Sequence, residues 1–428
     1  MTSGTTQTAI NWVFSRTKSN KIFAIADQAL SSLAQFTSGI IIGRTCSKEE
    51  FGLFTLGLTI ILLLTGIQSA LITSPYTCYF PRLKGPAQRT YSGSSLVHQF
   101  ALSLIAMLLI SIMGFLSFLG VMATDIAPVI WALFLTLTFI IFHQFVRFLL
   151  FAHMKFSTAI FVDAAVLIIE VAGLLLLASY RLLSAKSAYW IIGTATGIAG
   201  ITWVVLNRRE FSFKKSNIIS DLRLNISFGK WILGSVVIYY LCTQGYYWLL
   251  SEMKSIAETG AFAACQGAVN IANPFLLGIY NVLRPEASES FTSGGISALK
   301  KVIKKALIVI SIPMILFFFI ILIKGNEIVV LIYGAKYRGM GIVATVLAIN
   351  MFVMAISSPF DYGIWAMEKT DRNFFIILPG SIIVLLFGVG LIDRFGILGA
   401  ALGLLGGNMI ILFLRFIIFS KYCTSLKQ

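Results

Sequence analysis

ALIVISIPMILFFFIILI, residues Ala306–Ile323, runs without a single charge between Lys304-Lys305 on one side and Lys324 on the other. An α-helix rises 1.5 Å per residue, so about 20 such residues cross the hydrocarbon core of a bilayer. The run is continuously apolar, the pattern of a membrane helix and not of an alternating barrel strand. Outward from it the rest of the chain reads the same way. Of its 428 residues 58% are hydrophobic and only 12% charged, where soluble domains carry roughly 25% charged residues. Mean hydropathy is +0.90. A chain this poor in charge cannot cover its own surface with polar groups, so most of its solvent is lipid. Backbone hydrogen bonds must then close locally, which selects helices.

Apolar windows punctuated by Gly, Pro and charge clusters predict twelve spans, at 22–43, 51–73, 95–120, 126–151, 156–178, 186–206, 229–250, 257–283, 304–323, 341–360, 373–391 and 395–419. The connections are short. A net charge of +16 suggests nucleic acid at first, but its distribution argues against it. With the N-terminus cytoplasmic, about 24 of the 33 Lys and Arg fall at cytoplasmic ends. Arg82/Lys84/Arg89, Arg208/Arg209/Lys214/Lys215/Arg223 and Lys300/Lys301/Lys304/Lys305 all sit on that side. An even number of spans puts the C-terminus there too. The polar opening MTSGTTQTAINWVFSRTKSNK has no short apolar core before a cleavage site, so the first span is expected to serve as the insertion signal. Cys46, Cys78, Cys242, Cys265 and Cys423 are scattered without CxxC spacing and predict neither a disulfide framework nor a metal site.

Glu50-Phe51-Gly52-Leu53-Phe54 opens the second span and Glu258-Thr259-Gly260-Ala261-Phe262 the eighth. Each leads into an apolar helix ending in a proline beside a base, Pro81-Arg82 and Arg284-Pro285. The expected class is therefore an all-α polytopic membrane protein of two six-helix lobes around a central cavity. The lobes are 1–206 and 229–428, with 207–228 a cytoplasmic linker. An even number of helices per repeat gives a parallel repeat, an arrangement used by transporters.

The stretch Ala26-Asp27-Gln28-Ala29-Leu30-Ser31-Ser32-Leu33-Ala34-Gln35-Phe36, then Gly43-Arg44, then Glu49-Glu50-Phe51-Gly52-Leu53-Phe54, resembles the start of bacterial polysaccharide-export flippases. These belong to the multidrug/oligosaccharidyl-lipid/polysaccharide (MOP) exporter superfamily. IVVLIYGAKY at 328–337 and Phe395-Gly396-Ile397-Leu398-Gly399-Ala400-Ala401 look like the same family, and the resemblance covers essentially the whole chain. Two departures matter. Lipid II flippases of the superfamily typically carry two additional helices, and multidrug members a proline early in the first helix and its counterpart. Here none stands between Ile22 and Gly43 or between Lys230 and Leu250.

Polar residues recur on single faces of three helices that the resemblance places at the cavity. They are Gln28, Ser31, Gln35 and Ser38 on the first; Ser235, Tyr239, Thr243 and Tyr246 on the seventh; and Gln266, Asn270 and Asn273 on the eighth. Amides, hydroxyls and tyrosine rings bind sugars, and they also hold membrane helices together. Ionisable groups at membrane depth each need a reason. Asp27, Arg147 with His143, Asp163 and Glu170 are candidates for an ion pair or for coupling, Arg147 and Asp163 lying at similar depth. Glu170, near the midplane, is the candidate for exchanging H+ or Na+. Arg82, Lys84 and Arg284 at the cytoplasmic mouth suit a pyrophosphate headgroup or simply obey the positive-inside rule.

The resemblance implies a flippase in the bacterial inner membrane, both termini cytoplasmic, moving a polyprenyl-pyrophosphate-linked oligosaccharide by alternating access. Membrane lipid, the lipid-linked glycan, a polysaccharide polymerase and glycosyltransferases are the implied partners, and nucleic acid is not among them. An ion-coupled multidrug exporter is the alternative. A membrane glycosyltransferase or polymerase would need a large exoplasmic loop carrying catalytic groups, and no P-loop motif occurs, so no enzyme and no cofactor is expected.

Overall fold

The computed structural model describes residue 30 and residues 32–120, 124–367 and 370–425. Every regular element among them is helical. In chain order these are α1 (32–45), α2 (Lys48–Gln68), α3 (Ser74–Tyr79), α4 (Pro86–Phe118), α5 (Ala127–Ala152), α6 (Phe156–Ser179), α7 (Ala185–Leu206), α8 (Lys215–Met253), α9 (Ile256–Val269), α10 (Asn273–Tyr333), α11 (Gly341–Ala366) and α12 (Thr370–Ser425). Their starts follow local chemistry. Ser184 caps α7 by accepting from the Ser187 N–H at 3.2 Å, and Ser255 caps α9 by accepting from that of Glu258 at 3.1 Å. Pro86 opens α4, where its missing N–H costs nothing. A π-helical turn, Ser69–Thr73, joins α2 to α3.

Among the described residues nine helical stretches are long and apolar enough to cross a membrane. Two of them conceal a break. α10 is 61 residues long, far beyond the ~20 a crossing needs. It is interrupted at Gly295, whose φ of 60° and ψ of −154° no helix contains. Gly396, at φ 56° and ψ −129°, divides α12 in the same way. With these breaks counted, the second to twelfth expected spans each have a counterpart among the described residues; of the first, 22–43, the described part from residue 32 onward is helical. Lipid exposure reverses the usual polarity of a helix. On α4, Phe100, Leu104, Leu108, Ile112 and Phe115 are exposed, while Ser95, Gln99, Ser103 and Ser117 are buried. Hydrocarbon is the solvent that favours such an arrangement.

The described residues pack as two units, each with its own core. The first comprises residues 1–42 and 60–236, the second 43–59 and 237–428. In the first, Tyr76, Phe145, Leu149 and Trp203 centre the packing; in the second, Leu299, Ile303, Ile364 and Phe419 do. This division departs from the expected lobes in two places. Residues 43–59 group with the C-terminal unit, because the start of α2 packs on α9. Residues 207–228 are not a free linker. The Ser212 N–H donates to the Arg89 carbonyl (2.9 Å), His98 Nε2 bonds the Ile218 carbonyl oxygen (2.9 Å), and Tyr91 donates to Asn225 Oδ1 (2.7 Å). Those contacts dock the segment on α4, and Lys215 already begins α8.

The contact of α2 with α9 is reciprocal. A Cβ at Gly52 would stand 2.1 Å from the Ile256 carbonyl oxygen, and one at Gly260 2.0 Å from that of Lys48. The two sequence-similar segments thus face each other glycine to backbone, each supplying what the other accommodates. Only a residue without Cβ allows this approach.

Candidate functional site

Each unit holds a concentration of polar chemistry inside apolar helices. In the first it lies among α1, α5 and α6. His143 and Arg147 are one turn apart on α5 and meet Asp163 of α6. Asp163 Oδ2 is 2.9 Å from Arg147 Nε, and its Oδ1 is 3.2 Å from His143 Nε2, all three side chains being under 10% exposed. Arg147 also lies over the Phe151 ring, 5.5 Å from its centroid. Two turns along the same face of α6, Glu170 is buried and its Oε1 accepts from Ser38 Oγ at 2.5 Å. The partner of Glu170 is therefore the last member of the polar stripe on the first helix. Nearby, Gln68 Nε2 donates to Gln99 Oε1 and to the Ile141 carbonyl, both at 2.6 Å.

In the second unit α8, α11 and α12 enclose a cavity of about 100 Å³. Tyr239 and Thr243 line it from α8, Ser357 and Ser358 from α11, and Asn408 and Arg415 from α12. Arg415 Nη1 donates to Ser357 Oγ at 3.0 Å, and Nη2 pairs with Asp361 Oδ2 at 3.4 Å. Asn408 Nδ2 donates to Asn350 Oδ1 at 2.7 Å. A guanidinium set among hydroxyls and an amide is equipped to hold oxygen-rich ligands.

Other expected residues have different surroundings. Tyr246 does not line this cavity. It is fully buried, and its hydroxyl occupies the space where Gly388 and Gly403 lack side chains. Packing against α12 accounts for it. Gln266 donates to Asn270 Oδ1 at 2.9 Å, while Asn273 and Gln35 are exposed. Arg82 and Lys84 are exposed at the end of the α2–α3 passage. Arg284 stacks on Trp365 with 4.7 Å between guanidinium and ring. Asp27, Gln28 and Ser31 lie outside the described residues.

Arg415, Asp361, Asn408, Asn350, Ser357 and Ser381, the last also lining the cavity, are residues that sequence reasoning passed over. Arg415 carried a signal: it is a full charge inside the expected span 395–419. Asp361 stood one residue beyond the expected end of its span and so looked interfacial.

Two sequence motifs interlock in the second unit. Arg44 Nη1 donates to the Leu331 carbonyl at 2.6 Å, at the C-terminal end of α10. Lys336, in the turn after α10, donates to the carbonyls of Cys46 and, at 3.3 Å, Arg44, at the C-terminal end of α1. Each motif supplies a cation to the other's helix terminus, where orphan carbonyls and the helix dipole favour it. Burial pulls the Lys336 ammonium below its usual range and pushes the Cys46 thiol up.

A family model described as polysaccharide biosynthesis protein matches residues 18–291. No curated protein matches the chain. Solved structures do, over nearly the full length. An inward-facing multidrug resistance MATE family transporter of the MOP superfamily superposes with a TM-score of 0.77 at 12% identity, covering 93% of this chain and 95% of that one. The lipid II flippase MurJ in an inward closed conformation gives 0.71 at 15%, covering 93% and 87%. A MOP superfamily transporter from Pyrococcus furiosus, whose binding pocket is described as reversed in polarity, gives 0.66 at 12%, covering 95% of both. At these identities the likeness is one of fold.

Proposed function

The chain belongs to the polysaccharide biosynthesis protein family, and from that premise we propose that it is a flippase. Its cargo is a polyprenyl-pyrophosphate-linked oligosaccharide, carried across the bacterial inner membrane by alternating access. The observation that carries this reading is the cavity of hydroxyls, amide and guanidinium among lipid-embedded helices. Those groups match the hydroxyl-rich surface of a sugar, and the positive charge of Arg415 is unsuited to the cationic compounds of a drug exporter. Glu170, buried against Ser38, is the coupling carboxylate for H+ or Na+ in this reading, and Arg82, Lys84 and Arg284 receive the diphosphate. A polymerase and glycosyltransferases act before and after it.

The test is reconstitution. Purified protein in liposomes carrying a polyprenyl-diphosphate oligosaccharide labelled on the glycan should render the label accessible to an impermeant glycosidase from the opposite leaflet. Protein-free vesicles should not. Efflux of a fluorescent organic cation without movement of the glycolipid would replace this reading with that of a multidrug exporter, the activity of the MATE transporter whose fold it shares.

A further inference from the structure

The cavity of the second unit has an asymmetric charge arrangement that bears on which glycans it admits. Arg415 lines the cavity; its carboxylate partner Asp361 does not. Asp361 thus stands behind the guanidinium, offsetting part of the cost of holding a cation among apolar helices, while the cavity side of Arg415 is shared with Ser357 Oγ. Guanidinium groups recognise carboxylates and phosphates through parallel N–H donors. Asp361 meets one of those donors, Nη2, at 3.4 Å.

We propose that this cavity is a subsite for a carboxylate-bearing sugar, such as a uronic acid residue, of the glycan cargo, a proposal that rests on the flippase reading. Arg415 and Ser357 take the carboxylate. Thr243, Ser358 and Asn408 take ring hydroxyls, and Met354 and Leu404 face the apolar side of the ring. A diphosphate carries more negative charge and calls for more than one cation. Among the described residues that line this cavity Arg415 is the one cation, so a single carboxylate suits it better than a diphosphate.

Equilibrium binding of radiolabelled glucuronic acid and glucose to the purified full chain, in nanodiscs of uncharged lipid, tests this. Glucuronate should bind saturably, and glucose at least tenfold more weakly. R415Q should weaken glucuronate binding at least tenfold. D361N, which removes the competing carboxylate and leaves the cation in place, should strengthen it severalfold. These opposite directions separate recognition from a general loss of fold. The proposal is overturned by equal affinity for the two sugars, by no saturable glucuronate binding, or by D361N weakening binding as R415Q does. It is also overturned if inorganic pyrophosphate displaces glucuronate at lower concentration than glucuronate itself, which would assign the site to the lipid diphosphate. Binding that behaves as expected in a protein that moves no glycolipid would refute the flippase reading and leave the acid-sugar site standing.

Discussion

Replacing Asp163 by Ala should be the most destabilising single change in the first unit's polar cluster. Asp163 is the shared partner of Arg147 and His143, and all three side chains are under 10% exposed, so solvent screening gives no discount. Removing the acid leaves the Arg147 charge buried against Phe151 and the α5–α6 contact. Breaking a buried pair in this way costs about 3–5 kcal/mol, whereas replacing both partners with apolar residues of similar volume is often close to neutral. The folded-to-unfolded ratio should thus fall roughly a hundred- to several-thousandfold for D163A and far less for the double variant R147M/D163L. Cys46, Cys242, Cys265 and Cys423 are buried free thiols, so the labelling of newly exposed thiols by a fluorogenic maleimide on heating reports unfolding directly. D163A should melt several degrees below the parent, and R147M/D163L should recover most of the loss. If D163A melts with the parent, or the double variant is worse than the single, the cluster is not a structural ion pair and the reasoning fails.

Gly260→Ala should destabilise by about 2 kcal/mol or more, as overpacking against backbone does, because its Cβ would meet the Lys48 carbonyl oxygen at 2.0 Å. Gly278→Ala, with nothing within 4 Å, is the control and should be neutral or stabilising in the same melting assay. His153 is bonded by Tyr76 (2.8 Å) and Glu210 (3.0 Å). Burial, opposed by Glu210, holds its imidazole below the usual range. The fold therefore favours neutral His153, and its share of stability, complete above about pH 6.5, should decline as pH falls through the lowered folded value. His153→Gln should show a smaller drop in melting temperature between pH 7 and pH 5, and an unchanged drop would refute this. Glu170→Gln keeps the shape and the Ser38 contact, so it should insert and melt normally but transport no glycolipid; full transport would eliminate its coupling role. Single cysteines introduced at Ser3, Ser216 and Ser425 should react only with cytoplasmic-side reagent, and one exoplasmic result would break the assigned topology.

Hydropathy was sufficient to locate the helices because lipid imposes one rule on every segment. It failed where polarity was paid back by tertiary contacts. The first turns of α8 contain Asn217, Asp221 and Asn225, so the segment read as a loop. Its polar side faces α4, where Tyr91 bonds Asn225 and His98 bonds the Ile218 carbonyl. The partner of Glu170 shows the complementary limit. Ser38 was recognisable as polar and as sharing a face with Gln35, yet nothing local pairs residues 132 positions apart. Tyr246 was read as cavity-lining from its spacing alone. The space it fills is created by Gly388 and Gly403, more than a hundred residues away, and a missing side chain leaves no pattern on the helix it receives. Arg415 was visible as a charge within a span, but its meaning depends on Ser357 and Asp361 of a different helix.

Several of the motifs that carried the family resemblance, and the repeat segment at Gly260, are joints. Gly43-Arg44 and the IVVLIYGAKY turn exchange cations and carbonyls, Gly52 and Gly260 lie against each other's backbone, and Gly396 breaks α12. Backbone contacts of this kind depend on the presence of a carbonyl or the absence of a Cβ, and they tolerate change in almost every neighbouring side chain. The residues of the second unit's cavity lie outside those joints. Arg415, Asn408 and Ser357 make neither a helix-terminus nor a glycine contact; they bond side chains between α11 and α12. Exchanging Thr243, whose hydroxyl bonds its own helix backbone, should accordingly change what the protein binds while its melting temperature holds, whereas exchanging joint residues should lower the melting temperature.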